Sequence, residues 1–338
     1  MRQTILIGVL ICLVAIPSHS QANPQSQQGD PDAAKAVDLA VQVAQLYQQG
    51  KYTDALPLAK RCLEIREKLF TPKDEQLRTA LKNLAEVDMA LNKYGEARTL
   101  FDRLIKSYED FNPTDLRLAQ VLQRLAFIYF KKGEGDKTEH LYQRAINITE
   151  TASTPEDQQV ATAATYLAEY YQAVGDYKKA EPVYQRILSI REKQSSSART
   201  EALQETLDRY ACLLRKTGRE SEARELDWRN SGLPPGTGTP VAGAGMPFSG
   251  GVINGKALSL PKPSYPDEAR AAHVAGAVVV RLVIDERGKV IRACAIAGPP
   301  LLMRASEAAA YKALFSPTKI SGQPVKVSGV VTYNFIAQ

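Results

Sequence analysis

Four cysteines and three histidines are the side chains of this 338-residue chain that could do metal or nucleophile chemistry, and their spacing argues against it. His19, His140 and His273 stand far apart, and none lies beside a Cys or carboxylate cluster of metal-ligand spacing. No Gly-x-Ser-x-Gly, phosphate loop or dinucleotide fingerprint occurs. The expectation is therefore no catalytic residue, no metal and no cofactor. Cys12 lies in an apolar N-terminal run, which leaves Cys62, Cys212 and Cys294, an odd number without a Cys-x-x-Cys. The sequence accordingly predicts a protein that disulfides do not hold together. Cys62 and Cys294 read as small packed residues, while the register of Cys212 can bring it to a ligand-facing side of its helix. What remains is non-covalent recognition, so the question becomes which elements present a surface.

Those elements repeat. Ala44, Ala85, Ala126, Ala168 and Ala211 recur at spacings of 41, 41, 42 and 43 residues. Each is followed about a dozen residues later by a small residue (Ala55, Ala97, Thr138, Ala180, Ala223), with Gly50, Asn92, Gly133, Gly175 or Gly218 between them. Repeat four is the clearest: Tyr166-Leu167-Ala168-Glu169-Tyr170-Tyr171, then Gly175-Asp176-Tyr177-Lys178-Lys179-Ala180, then Tyr184 and Ile187-Leu188. Apolar positions return every three or four residues on both sides of the turn, predicting two amphipathic helices packed through their alanines. A period this long and regular predicts a helical solenoid over residues 30–228, in about five repeats. Tyr142, Tyr171 and Tyr184 fall on helix-packing positions and are expected in the core.

The array resembles tetratricopeptide repeats of the long-period, kinesin-light-chain type. The resemblance rests on Leu84-Ala85, Leu125-Ala126 and Leu167-Ala168 on first helices and on Tyr52, Tyr94 and Tyr177 after the turns. Thr138 in place of alanine and Gly133-Glu134-Gly135 in place of Gly-x-Tyr mark the third repeat as irregular. The resemblance implies that first helices line a groove taking an extended or helical peptide. Carried over residue by residue, the groove positions are Lys82, Asn83 and Glu86, then Gln123, Arg124, Phe127 and Phe130, then Thr165, Glu169 and Gln172. Phe127 and Phe130 could anchor a ligand or pack against neighbouring repeats.

The N-terminus reads as a secretory signal. Arg2, the apolar run Ile5 to Ile16, Pro17 and the small-residue site Ser20-Gln21-Ala22 predict a signal peptide over residues 1–22, and hence a periplasmic protein. The alternative is an uncleaved inner-membrane anchor, but twelve helical residues span only about 18 Å against about 30 Å of hydrocarbon. Charge is uneven. From Val252 onward eleven Lys and Arg face five Asp and Glu, whereas the chain before it is balanced. A basic C-terminal part could touch anionic envelope surfaces; no nucleic-acid motif accompanies it.

Residues 229–251 turn to Gly, Pro, Thr and Ser, a linker with a reach of about 25 Å that would keep its two flanking domains close. Beyond it, Gly276 to Asp285 and Lys289 to Ile296 flank the turn Glu286-Arg287-Gly288 and predict a β-hairpin. Leu301 to Leu314 reads as a helix, and Pro324 to Phe335 as a third strand with Val325, Val327, Val331, Tyr333 and Phe335 on one face. A short helix at Pro266 to Ala272 leads in. This ββαβ order, in a domain over residues 252–338, resembles from about Leu260 to Phe335 the C-terminal domain of the TonB energy-transducer family. The resemblance rests on Tyr265-Pro266 with Ala269, Asp285-Glu-Arg-Gly288, Gly298 with Leu301-Leu302, and Phe315-Ser-Pro317 with Gly322-x-Pro324-Val325. Ala313-Leu314 replaces the family's common tryptophan. The resemblance implies an exposed last-strand edge that accepts a segment of an outer-membrane receptor, with Val330, Thr332 and Asn334 on the face away from the core. The expected fold is thus an all-α superhelical solenoid followed by a small ββαβ domain. The expected function is a periplasmic protein-binding adaptor that could assist energised transport, the alternative being a structural envelope scaffold.

Overall fold

The structure is a computed structural model that describes residues 31–194, 200–231, 248–252 and 257–336. The expected signal peptide and residues 232–247 of the expected linker lie outside these. Two compact units divide the chain, one ending at Leu167 and the other running from Ala168 to Gln338.

Five helix hairpins make up the repeats among the described residues. They are α1 (Pro31–Gln48) with α2 (Tyr52–Leu69), α3 (Glu75–Ala90) with α4 (Tyr94–Phe111), α5 (Leu116–Lys131) with α6 (Gly135–Ala152), α7 (Gln158–Val174) with α8 (Tyr177–Gln194), and α9 (Glu201–Lys216) with α10 (Glu220–Ser231). One turn chemistry closes all five. Gly50, Asn92, Gly133, Gly175 and Gly218 have φ between 60° and 81°. At each, the following N–H reaches back to the carbonyl five residues earlier, as in Lys51 to Leu46, Lys93 to Asp88 and Arg219 to Leu214 at 2.9, 2.8 and 2.8 Å. This left-handed helix stop is costly for most L-residues, which explains four glycines and an asparagine.

The paired small residues sit where the helices touch. Ala85, Ala126, Ala168 and Ala211, and all five followers including Thr138, are essentially inaccessible, while Ala44 in the first hairpin is half-buried. Tyr142, Tyr171 and Tyr184 are buried as expected. A device the periodicity does not reveal joins successive hairpins within each unit. Buried Arg66 at the end of α2 donates to the carbonyl of Gln76 in α3 at 2.6 Å, and buried Arg191 of α8 donates to Ala202 in α9 at 2.7 Å. Each guanidinium satisfies a main-chain acceptor near the start of the next first helix.

The C-terminal domain contains β1 (Phe248–Val252), β2 (Ala257–Ser259), α11 (Asp267–Ala271), β3 (Gly276–Ile284), β4 (Val290–Ala297), α12 (Pro300–Ala310), β5 (Leu314–Phe315), β6 (Lys319–Ile320), β7 (Gln323–Pro324) and β8 (Val327–Phe335). The main sheet runs β1-β8-β3-β4, parallel between β1 and β8 and antiparallel elsewhere. Val278, Val280, Leu282 and Ile284 of β3 alternate into the core with Val331, Tyr333 and Phe335 of β8, under Leu302 and Ala309 of α12. Ala313 fills part of that core where the TonB family commonly has tryptophan, and Leu314 is half exposed. Two glycines are sterically required. A Cβ on Gly288 would lie 1.9 Å from the Phe315 carbonyl, and one on Gly298 would lie 2.6 Å from that of Ala277. The expected ββαβ core is present; β1, the β2–β5 pair and the β6–β7 pair extend it.

Candidate functional site

The groove positions inferred on the first helices can be placed relative to the buried alanine of each helix. In the first unit, Glu86 follows Ala85 by one residue and Arg124 precedes Ala126 by two, and their side chains meet between α3 and α5 at 2.9 Å. Both are mostly shielded, with 15% and 20% of the side chain exposed. Tyr47 of α1 lies near this pair, and burial, reinforced by the Glu86 charge, pushes its phenol up to about 12. Lys82 is exposed and Asn83 half-buried. Gln123, Phe127 and Phe130 are partly buried, and the Lys131 ammonium stands 5.8 Å from the centre of the Phe127 ring. Thr165 donates its hydroxyl to Ala161 within its own helix at 2.8 Å.

The second unit reuses the register. Glu169, one residue after Ala168, meets Arg209, two before Ala211, at 3.0 Å. Gln172 accepts from the buried Tyr184 hydroxyl at 2.8 Å, and its Nε2 lies 4.0 Å from Cys212 Sγ. The structure therefore joins some inferred positions into ion pairs and commits others to their own repeat.

Cys212 overturns one expectation of the sequence. It is bonded to Cys294 of β4, 82 residues away, so a disulfide does tie this protein together. Counting cysteines missed it because partners this distant in sequence are fixed only by the fold. Among the described residues Cys62 is the free cysteine, and it is buried. The disulfide sits in a joint between α9 and the C-terminal domain. Asp208 of α9 pairs with Arg292 of β4 at 2.8 Å, and Lys216 of α9 with Glu307 of α12 at 3.1 Å. Glu220 of α10 pairs with Arg281 of β3 at 3.0 Å, and Glu307 also accepts the Ala295 N–H at 2.8 Å. Burial pushes the Asp208 carboxyl up to about 6, against the pull of Arg292 and of its hydrogen bond from Asn230. Burial also opposes ionisation of Glu220, but Arg215 and Arg281 outweigh it and hold that carboxyl low. The two sulfurs and Glu307 cluster closely enough to suggest a metal site. The S–S bond uses both thiols and Lys216 neutralises the carboxylate, so the cluster is accounted for by the joint.

The last strand brings a second correction. Its outer edge, expected to be bare, carries β1 in parallel, with Phe248 opposite Val327, Ser249 opposite Ser328 and Val252 opposite Val330. Part of the expected linker is thus a strand. The sequence hides it because Phe-Ser-Gly-Gly-Val is poor in strand formers and its partner lies about eighty residues on. On β8, Val330, Thr332 and Asn334 stand opposite Arg281, Val279 and Ala277 of β3; the first two are half-buried and Asn334 is exposed.

No helix among the described residues is long and apolar enough to cross a membrane. The tetratricopeptide repeat family matches residues 37–110 and 117–193, and the Gram-negative bacterial TonB protein C-terminal family matches residues 261–337. No curated protein matches the chain. Among solved structures, the kinesin-light-chain protein of Podosopora anserina with nearly identical TPR-like repeats aligns at 17% identity and a TM-score of 0.52, over 60% of this chain and 95% of that one. BtubC from P. vanneervenii aligns at 17% and 0.51 over 63% and 88%, and aspartyl phosphate phosphatase F from Bacillus subtilis at 12% and 0.53 over 59% and 50%. At these identities the likeness is one of fold. The chain is thus built from tetratricopeptide repeats of kinesin-light-chain-like architecture joined to a TonB-type C-terminal domain.

Proposed function

We propose that the chain is a periplasmic adaptor of a Gram-negative envelope, one that holds a peptide segment on the first-helix faces of its repeats and a second partner on the outward face of β8 in its C-terminal sheet. The observation that carries this reading is the recurrence of one polar register on first helices, where Glu86 with Arg124 and Glu169 with Arg209 pair from equivalent positions, the first pair 15–20% exposed and the second 32–37%. Such charge pairs flanked by Phe127 suit a ligand with both main-chain polarity and an apolar anchor. The C-terminal sheet adds a second surface: β1 takes the outer edge of β8, so a partner would be met there by the partly exposed side chains of β8, and specificity would rest on them. Val330, Thr332 and Asn334 would supply that specificity. Assistance to energised outer-membrane transport is the finer form of this proposal.

The test is in-cell crosslinking and mass spectrometry of the tagged full chain beside two variants, Arg124→Ala/Phe127→Ala in the repeats and Val330→Glu/Thr332→Glu on β8. The adaptor reading expects each variant to lose a different set of partners, with outer-membrane receptors lost from the β8 variant. Identical catches from all three proteins would overturn it.

A further inference from the structure

The first helix of the fifth repeat carries the joint to the C-terminal domain. Relative to its buried alanine, Ala211, the residues of α9 equivalent to Lys82, Gln123 and Thr165 on the one hand, and to Glu86, Phe127 and Glu169 on the other, are Asp208 and Cys212. These two grip the C-terminal domain, Asp208 through Arg292 and Cys212 through Cys294. Lys216, one turn further along α9, adds Glu307. The positions that the other repeats would offer to a partner are, in this repeat, spent on β4 and α12.

We infer that the first-helix face of α9 is a recognition surface whose resident ligand is the chain's own C-terminal domain, and that the Cys212–Cys294 disulfide is the latch that keeps it seated. This rests on the reading of first-helix faces as binding faces and adds to it that one of them is closed from within. Three features support a latch over a passive staple. The non-covalent grip includes three cross-joint ion pairs, Asp208–Arg292, Lys216–Glu307 and Glu220–Arg281, whose partly exposed side chains leave it sensitive to salt once the covalent bond is gone. Both cysteines are buried, at 7% and 8% exposure, so attack on the disulfide must wait for the joint to open. Asp208 and Arg292 pair one helical turn before Cys212 and two residues before Cys294, so loosening that pair should speed the opening.

The chemistry balances as a thiol–disulfide exchange. A dithiol partner supplies one thiolate that attacks a sulfur of the Cys212–Cys294 bond and forms a mixed disulfide. Its second thiolate then displaces the protein sulfur, so that the partner leaves as a disulfide and Cys212 and Cys294 take up two electrons and two protons. Re-latching runs the same steps backwards with an oxidised partner disulfide as electron acceptor. Release uncovers Asp208, Cys212 and Lys216 on α9 and frees β4 and α12, making both binding faces of the joint available together.

The test uses the full chain, with dithiothreitol as the dithiol. Hydrogen exchange is followed in α9 and β4 in the oxidised chain, in the reduced chain and in Cys212→Ser/Cys294→Ser. The inference expects α9 and β4 to lose protection together, by about tenfold or more, on reduction and in the variant, further at high salt, with α1 to α6 unchanged. Because the double variant could simply misfold, a second measurement takes the rate at which dithiothreitol reduces the chain. Arg292→Glu should speed reduction by about tenfold, and Asp208→Arg combined with Arg292→Asp should restore the slow rate. Unchanged protection of α9 and β4 after complete reduction would overturn the latch, as would a reduction rate indifferent to Arg292. Either failure leaves the adaptor reading intact, since the crosslinking variants at Arg124, Phe127 and β8 do not involve the joint.

Discussion

Removing the 212–294 bond should be visible in stability, and its size follows from the length of chain it closes. The cysteines are 82 residues apart, and cross-linking a loop of that length removes about 15 cal/mol/K of unfolded-chain entropy, or about 4.5 kcal/mol at room temperature. For a cooperative unit the size of Ala168–Gln338, where each kcal/mol moves the midpoint by about 2–4 °C, the expected fall in Tm is about 10–15 °C. The assay is calorimetric unfolding of Cys212→Ser/Cys294→Ser beside the oxidised wild type, repeated with reductant. Reductant should lower the wild type to the variant's midpoint and leave the variant unmoved. The transition assigned to the unit ending at Leu167 should stay where it is in every sample. A fall below about 2 °C, with oxidation of the wild type verified by mass, would refute the reasoning, because the bond would then restrain nothing that folding has to order.

Three further outcomes follow from named contacts. Ala168→Leu or Ala180→Leu, each at a fully buried helix contact, should cost about 1–3 kcal/mol in urea unfolding through overpacking. Gly298→Ala, whose Cβ would meet the Ala277 carbonyl at 2.6 Å, should destabilise the C-terminal domain clearly more than Gly322→Ala, which shares a positive φ but meets nothing within 4 Å. The third concerns pH. Asp208 stands at about 6 when docked, because burial and Asp227 outweigh Arg292, Asn230 and Arg215, whereas a solvated Asp titrates near about 3.9. The docked form therefore binds the proton more tightly. Its contribution to docking is complete below the solvated value and is lost as pH rises through about 6. Hydrogen exchange of α9 in the double-Ser variant should show more protection at pH 5 than at pH 8, and Asp208→Asn should flatten that difference.

What could be read in the sequence divides along the range of the interactions. The five hairpins were legible because each rests on local chemistry: an alanine at the helix contact, a residue able to adopt positive φ at the stop, and apolar positions three and four apart. The β3–β4 hairpin was legible for the same reason, with Gly288 at its turn and Val278, Val280 and Leu282 alternating inward. The cross-chain features were not. Cys212 and Cys294, Asp208 and Arg292, and β1 and β8 each depend on partners tens of residues away, and nothing in the local pattern around any of them names the other. One hint was present. Cys212 and Asp208 occupy the register inferred to face a ligand in the neighbouring repeats, which sets that cysteine apart from one that only packs. The Gly-Gly of β1 likewise reads as linker until its register on β8 is seen.

The adaptor account is tested most directly by placing a photo-crosslinking amino acid, one site at a time, at Phe127 on α5, at Asn334 on β8 and at exposed Lys178 on α8, in cells carrying the full chain. An adaptor gives discrete adducts from Phe127 and from Asn334, with different proteins attached at the two sites, and none from Lys178. The same proteins trapped at all three positions, or none at Phe127 and Asn334, would contradict it.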